Sequence, residues 1–244
     1  MTTERDCVYE IQSDVSLFNE ESVLKPYGYQ VLFGQVAEQH LNCYHLNVDE
    51  TMKYGYAWAL ISLEIEKINP VPKCETIYAR TWYSQYKRPY FRREMEFKNA
   101  AGDLLFHGSS FSVLLDIEKR TIYRKKESPF TSPPPDAIFT IDAAPTFKTH
   151  LSFEQTEERK VYHSYIDPLG HVNNYRYGEF AYDAFTDEEK KHLGQMKRLE
   201  IYFISELRPQ DTFSIGKAYE ENKMYIRGHN HMKNDNAFDI VMYF

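Results

Sequence analysis

The 244-residue chain has three cysteines, Cys7, Cys43 and Cys74, irregularly spaced and with no Cys-x-x-Cys pair. That argues against a disulfide framework and against a cysteine zinc site. No apolar run reaches the length of a membrane span, and the first residues, Met-Thr-Thr-Glu-Arg-Asp, are polar and lack a signal-peptide core. These absences lead to the expectation of a soluble, cytoplasmic protein. Positive charge is also short: the net charge is -7, which speaks against a general nucleic-acid binder. No Gly-x-Ser-x-Gly elbow occurs, so a serine hydrolase of that type is not indicated.

Aromatic residues are plentiful: they make up 16% of the chain, with 20 tyrosines. Tyrosine suits broad antiparallel sheets and half-wet pockets, where the ring is buried and the hydroxyl is not. Phe33, Val36, Ala37, His40, Leu41 and Tyr44 recur with helical spacing, which predicts a helix over 30–45. Tyr177, Phe180, Ala181, Ala184 and Phe185 repeat the pattern and predict a second helix over 175–185. Gly34 and Gly178 fall at matching places in the two stripes, where a glycine lets another backbone come close.

Strand-like runs surround both helices. Val8–Gln12 precedes the first helix, and 56–68, 75–86, 90–98 and 104–117 follow it. Lys160–Ile166 precedes the second, and 198–207, 212–219, 224–231 and 238–244 follow it. One strand, one helix and about four strands thus occur twice. That order is not a βαβ alternation, so each half is expected to be an antiparallel sheet curled around a helix. Pro129, Pro133, Pro134, Pro135 and Pro145 mark a linker between the halves.

The chemically suggestive stretch is Asp167-Pro-Leu-Gly-His171-Val-Asn173-Asn174-Tyr-Arg-Tyr177. Asp167, Pro168 and Gly170 form turns, and His171 falls just before the first turn of the second helix. An imidazole and a carboxylate there lie beside free backbone N–H groups and the positive end of a helix dipole, where a carbonyl oxygen can be polarised. The blander reading of Asp167 is a cap, and of Asn173 and Asn174 a satisfied first turn. Aligning the halves sets Tyr27 opposite His171 and Lys67 opposite Glu206, so the first half lacks both groups. His229 and His231 share a strand face, but two histidines alone make a poor metal site.

Asp-x-x-Gly-His-Val-Asn-Asn-x-x-Tyr resembles the signature of hot-dog thioesterases. The rest of the chain is similar to the acyl-carrier-protein (acyl-ACP) thioesterases of bacteria and plants. In the first half the likeness rests on Trp58, Glu75 to Trp82, Phe91-Arg-Arg93-Glu, Gly102-Asp103, Ser112 to Asp116 and Lys119-Arg120. In the second it rests on Asp167 to Tyr177 and on Glu206 to Asp211.

The resemblance implies an α+β tandem double hot-dog, with an N-terminal hot-dog over 1–128 holding the acyl chain, a linker over 129–148 and a catalytic hot-dog over 149–244. It implies hydrolysis of fatty acyl-ACP to free fatty acid and ACP, with no metal and no organic cofactor. Carried over, the catalytic residues are Asp167, His171 and Glu206, with Glu206 as general base on a following strand; Asn173 and Trp58 are expected to bind substrate. The family has an Asn where this chain has Leu169, and a leucine can hold neither carbonyl nor water. Backbone N–H groups near Val172 and Asn173, or the Asn173 side chain, are then expected to take over.

An acyl-CoA thioesterase and a non-catalytic acyl-binding protein are the alternatives. The expected partner is the acidic carrier protein, docked on Lys87, Arg88, Arg92 and Arg93 and on Lys119, Arg120, Arg124, Lys125 and Lys126. Charge runs are by default solvated strand ends. No nucleic-acid partner and no membrane span are expected, and a homodimer is left open.

Overall fold

A computed structural model of the chain describes residues 7–125, 127–132 and 134–244. Lys126 of the expected docking cluster and Pro133 of the expected linker lie outside the described residues. The chain divides into two compact units. The first joins the segment up to Val15 to Leu32–Pro145, and the second joins Ser16–Val31 to Thr146–Phe244.

In the first unit the strands are β1 (Tyr9–Gln12), β2 (Tyr56–Lys67), β3 (Thr76–Ser84), β4 (Phe91–Lys98), β5 (Leu104–Asp116) and the short β6 (Thr121–Ile122). They pair antiparallel in the order β1-β3-β4-β5-β2, with β6 on β5. Helix α1 (Pro26–Cys43) starts at Pro26, four residues before the start read from the stripe. Proline suits that first position, because its missing N–H would have no partner there.

Period-two alternation along β4 sorts its two faces. Phe97 contacts Phe33 of α1 at 6.1 Å between ring centroids and stacks on Phe106 of β5 at 4.1 Å. Arg93 reaches His40 of the same helix, with Nη1 2.7 Å from Nδ1. Arg92 and Glu94 occupy the other face and form a buried ion pair of 2.5 Å. Ser84, Ser109 and Thr140 complete the acceptor shell of Glu94, and Arg92 Nη2 donates to the Ile141 carbonyl at 2.6 Å.

Among the described residues of the proline-rich stretch there is no helix or strand, and residues 136–144 are bonded into the first unit. Asp136 bridges to Ser84, Trp82 donates its indole N–H to Ile138, and the Ala144 N–H donates to buried Glu64 at 2.7 Å. Buried polar groups keep such partners because an unpaired one is costly in a low-dielectric interior.

In the second unit the strands are β7 (Glu154–Lys160), β8 (Arg198–Phe203), β9 (Thr212–Glu220), β10 (Lys223–Asn230) and β11 (Asp235–Tyr243). They pair antiparallel in the order β8-β11-β10-β9-β7. Helix α3 (Tyr175–Asp183) lays Tyr177 and Phe180 on this sheet, with ring contacts to Phe203, Phe213 and Phe238 of 5.1–5.6 Å. The opposite face carries Tyr202 and Tyr225, stacked under Phe147. Gly178 is required where α3 meets the chain at Tyr27: a Cβ would sit 3.0 Å from the Tyr27 Cα and 2.1 Å from Gln30 Oε1.

Two sequence expectations are corrected. The strand before α3 is Glu154–Lys160, and 160–166 instead leads into a 3-10 turn at His163–Tyr165. The strand expected to reach Leu207 stops at Phe203, because the Ile204 and Ser205 N–H groups both turn to the Ala237 carbonyl. Two short helices, α2 (Val48–Lys53) and α4 (Asp187–His192), lie between the expected helices and the strands that follow them. Both had a legible signal: Asn47 caps α2, and Thr186 with Glu189 forms a capping box on α4.

Candidate active site

The site is built from two loops of the second unit. The first runs from Ile166 to Asn174. Its ends are held by an antiparallel bridge between Ile166 and Val172, with Asp167 N–H to His171 O at 2.9 Å and Asn173 N–H to Tyr165 O at 2.8 Å. Gly170 closes the loop at φ +83°, a region that favours glycine.

Asp167 uses both carboxylate oxygens. Oδ1 accepts the Leu169 N–H at 2.9 Å, and Oδ2 lies 3.4 Å from His171 Nδ1. The carboxylate therefore shapes the turn and stands beside the imidazole. The Leu169 side chain is 41% exposed, and only its backbone N–H is engaged.

The second loop, Ile204 to Asp211, carries Glu206 beyond the end of β8, not on the strand as expected. Its placement depends on Leu207. The Val172 N–H donates to the Leu207 carbonyl at 2.8 Å, and the Leu207 N–H donates to the Tyr177 hydroxyl at 3.3 Å. Asp211 closes the loop by accepting from the Arg208 N–H and from Asn230 Nδ2. Lys233 donates to the Glu206 carbonyl and to Ser205 Oγ.

Electrostatics set the state of Glu206. Burial alone would raise its carboxyl, but the Arg208 hydrogen bonds and charge outweigh this, with His171 and Lys233 adding to them, so it lies below the ordinary glutamate range.

The two backbone donors expected to face a substrate are already committed: Val172 N–H to Leu207 and Asn173 N–H to Tyr165. Asn173 Oδ1 accepts the Tyr175 N–H at 2.9 Å. The Asn174 N–H donates to none of the described residues, and it stands at the start of α3. In the sequence Tyr177 is a core residue of the stripe and the last residue of the Asp167-to-Tyr177 signature, with no role of its own. Its ring is buried as that reading implies, but its hydroxyl belongs to this site.

Trp58 lies in the first unit. Its indole N–H donates to the Leu46 carbonyl at 3.0 Å, and its ring meets Phe91 edge-on at 4.9 Å. It lines a cavity of about 110 Å³ with Leu46, Tyr86, Tyr90, Phe91 and Phe130. Among the described residues no cluster of His, Cys, Asp or Glu could hold a metal ion, and no helix is long and apolar enough to cross a membrane.

A family model for the acyl-ACP thioesterase N-terminal domain matches residues 6–128. The chain belongs to the acyl-ACP thioesterase family. A search of curated protein sequences finds no match. An acyl-ACP thioesterase from Bacteroides thetaiotaomicron superposes with TM-score 0.87 over 100% of both chains at 18% identity. An oleoyl thioesterase from Lactobacillus plantarum gives 0.74 at 13% identity, over 96% of this chain and 94% of the other. The 12:0-ACP thioesterase from Umbellularia californica also gives 0.74, at 12% identity over 97% and 96%. At these identities the likeness establishes the hot-dog architecture, and family membership makes the protein a thioester hydrolase.

The expected docking face of the thioesterase needs correction. Arg92 and Arg93 are buried and spent on internal partners: Glu94 for the first, and His40, Thr81 and Tyr83 for the second. Lys87, Arg88, Arg120, Arg124 and Lys125 remain exposed, as does Lys119, which pairs with Asp116.

Proposed function

We propose that the thioesterase hydrolyses fatty acyl-ACP, releasing a free fatty acid and the carrier thiol and so ending or diverting fatty acid synthesis. The observation that supports this is the Val172–Leu207 hydrogen bond, which joins the loop of Asp167 and His171 to the loop of Glu206 near an unengaged N–H at the start of α3. Both Arg208 bonds to Glu206 end on Oε2, and Oε1 accepts from none of the described residues. That oxygen is the proposed base. Asp167 holds Nδ1 of His171, which leaves Nε2 to orient the same water.

The water oxygen attacks the thioester carbon as Glu206 takes its proton. Negative charge grows on the carbonyl oxygen and is met by the Asn174 N–H and the helix dipole. When the C–S bond breaks, the proton passes from Glu206 to the departing thiolate. The aromatic cavity around Trp58 is the proposed receptacle of the acyl chain, and the exposed Lys87, Arg88, Arg120, Arg124 and Lys125 are the proposed contacts for an acidic carrier.

The test is release of free acid from matched acyl-ACP and acyl-CoA panels, with wild type and Glu206→Gln. Turnover is expected to prefer acyl-ACP, to weaken with salt through apparent affinity, and to fall about 10²-fold or more in the variant. Equal efficiency and equal salt response with both donors would instead identify an acyl-CoA thioesterase.

A further inference from the structure

We infer that Tyr177 is a positioning residue for thioester hydrolysis: its hydroxyl fixes the main chain that presents Glu206 beside His171. This rests on the proposed role of Glu206 as base. Tyr177 lies on the first turn of α3, three residues from the unengaged Asn174 N–H, and its ring is buried against Phe203 and Phe238. The ring therefore has little freedom, and its hydroxyl accepts the N–H of Leu207, the residue after Glu206. On its other side Leu207 accepts the N–H of Val172, the residue after His171.

The two reactive side chains thus stand one residue before each end of a hydrogen bond, and Tyr177 locks the Glu206 end. Burial foremost, then the Glu206 and Asp167 charges, push the phenol up to about 12, so it stays a neutral hydroxyl at working pH. A phenylalanine would fill the same space but leave the Leu207 N–H without its partner. The loop would then be held by Val172, by Asp211 and by the exposed Lys233.

The experiment is a double-mutant cycle of Tyr177→Phe and Glu206→Gln, reading kcat, KM and thermal midpoint. Tyr177→Phe is expected to lower kcat about 10-fold or more with KM unchanged, because a small misplacement of a reacting group is costly. In the Glu206→Gln background, removing the hydroxyl should change kcat by less than about twofold, since the group it positions is gone. Full kcat in Tyr177→Phe beside a large loss in Glu206→Gln overturns the positioning role and leaves the base intact. A loss of the same factor in both backgrounds also overturns it. Full turnover in Glu206→Gln overturns the base itself. Hydrogen exchange at the Leu207 amide of the wild-type protein supplies a check that needs no variant: strong protection is expected, and exchange at the free-amide rate would end the proposal.

Discussion

Arg208 grips Glu206 by one oxygen only: Nε and Nη2 both donate to Oε2, at 2.9 and 2.8 Å. The arrangement keeps the carboxylate charged without covering its second oxygen, which a base accepting a proton from water requires.

Replacing Arg208 by methionine removes the main groups that hold the Glu206 carboxyl down and leaves the burial that raises it. The carboxyl then protonates at higher pH. If ionised Glu206 is the base, the acid limb of the kcat/KM profile lies below the ordinary glutamate range in the wild type and moves upward in Arg208→Met. A profile that does not move would assign that limb to another group.

Asp167→Asn tests the orientation of His171. An amide oxygen can still accept the Leu169 N–H, but an amide nitrogen facing Nδ1 favours the opposite tautomer. Turnover is expected to fall about 10²-fold or more with the thermal midpoint nearly kept. Unchanged turnover would reduce Asp167 to a turn former.

Glu94→Gln tests the buried pair of the first unit. The variant keeps the shape of the side chain and leaves Arg92 buried without its countercharge. Breaking such a pair costs about 3–5 kcal/mol, to be read from urea unfolding with the slope unchanged. A cost below about 1 kcal/mol would mean that water or a shift of the 136–144 segment relieves the charge.

Trp58→Ala enlarges the first-unit cavity from its present ~110 Å³ and removes the indole bond to Leu46. The preferred acyl chain is expected to lengthen while turnover of the best substrate changes little, as measured by free-acid release across a chain-length panel. Loss of turnover at every length in a folded variant would separate this cavity from acyl selection.

Several parts of the molecule were already determined by the local sequence. Two helical stripes with strands around them specify a duplicated antiparallel fold, because apolar periodicity is a property of neighbours along the chain. The turn at Asp167 to His171 is equally local: an Asp that binds the N–H two residues on, and a glycine at positive φ, need only their own backbone. What the tertiary structure decided is the company each group keeps. Leu207 meets Val172 and Tyr177 across separations of about thirty residues, and those bonds, absent from any local pattern, hold the Glu206 loop to the His171 loop and use up the Val172 donor. Arg92 and Arg93 form a basic run on paper, but Glu94, Ser109 and Ile141 enclose the first and His40 and Tyr83 the second. Charge is written in the sequence; burial, which decides whether that charge docks a partner or holds the core together, exists only once distant strands and segments have packed.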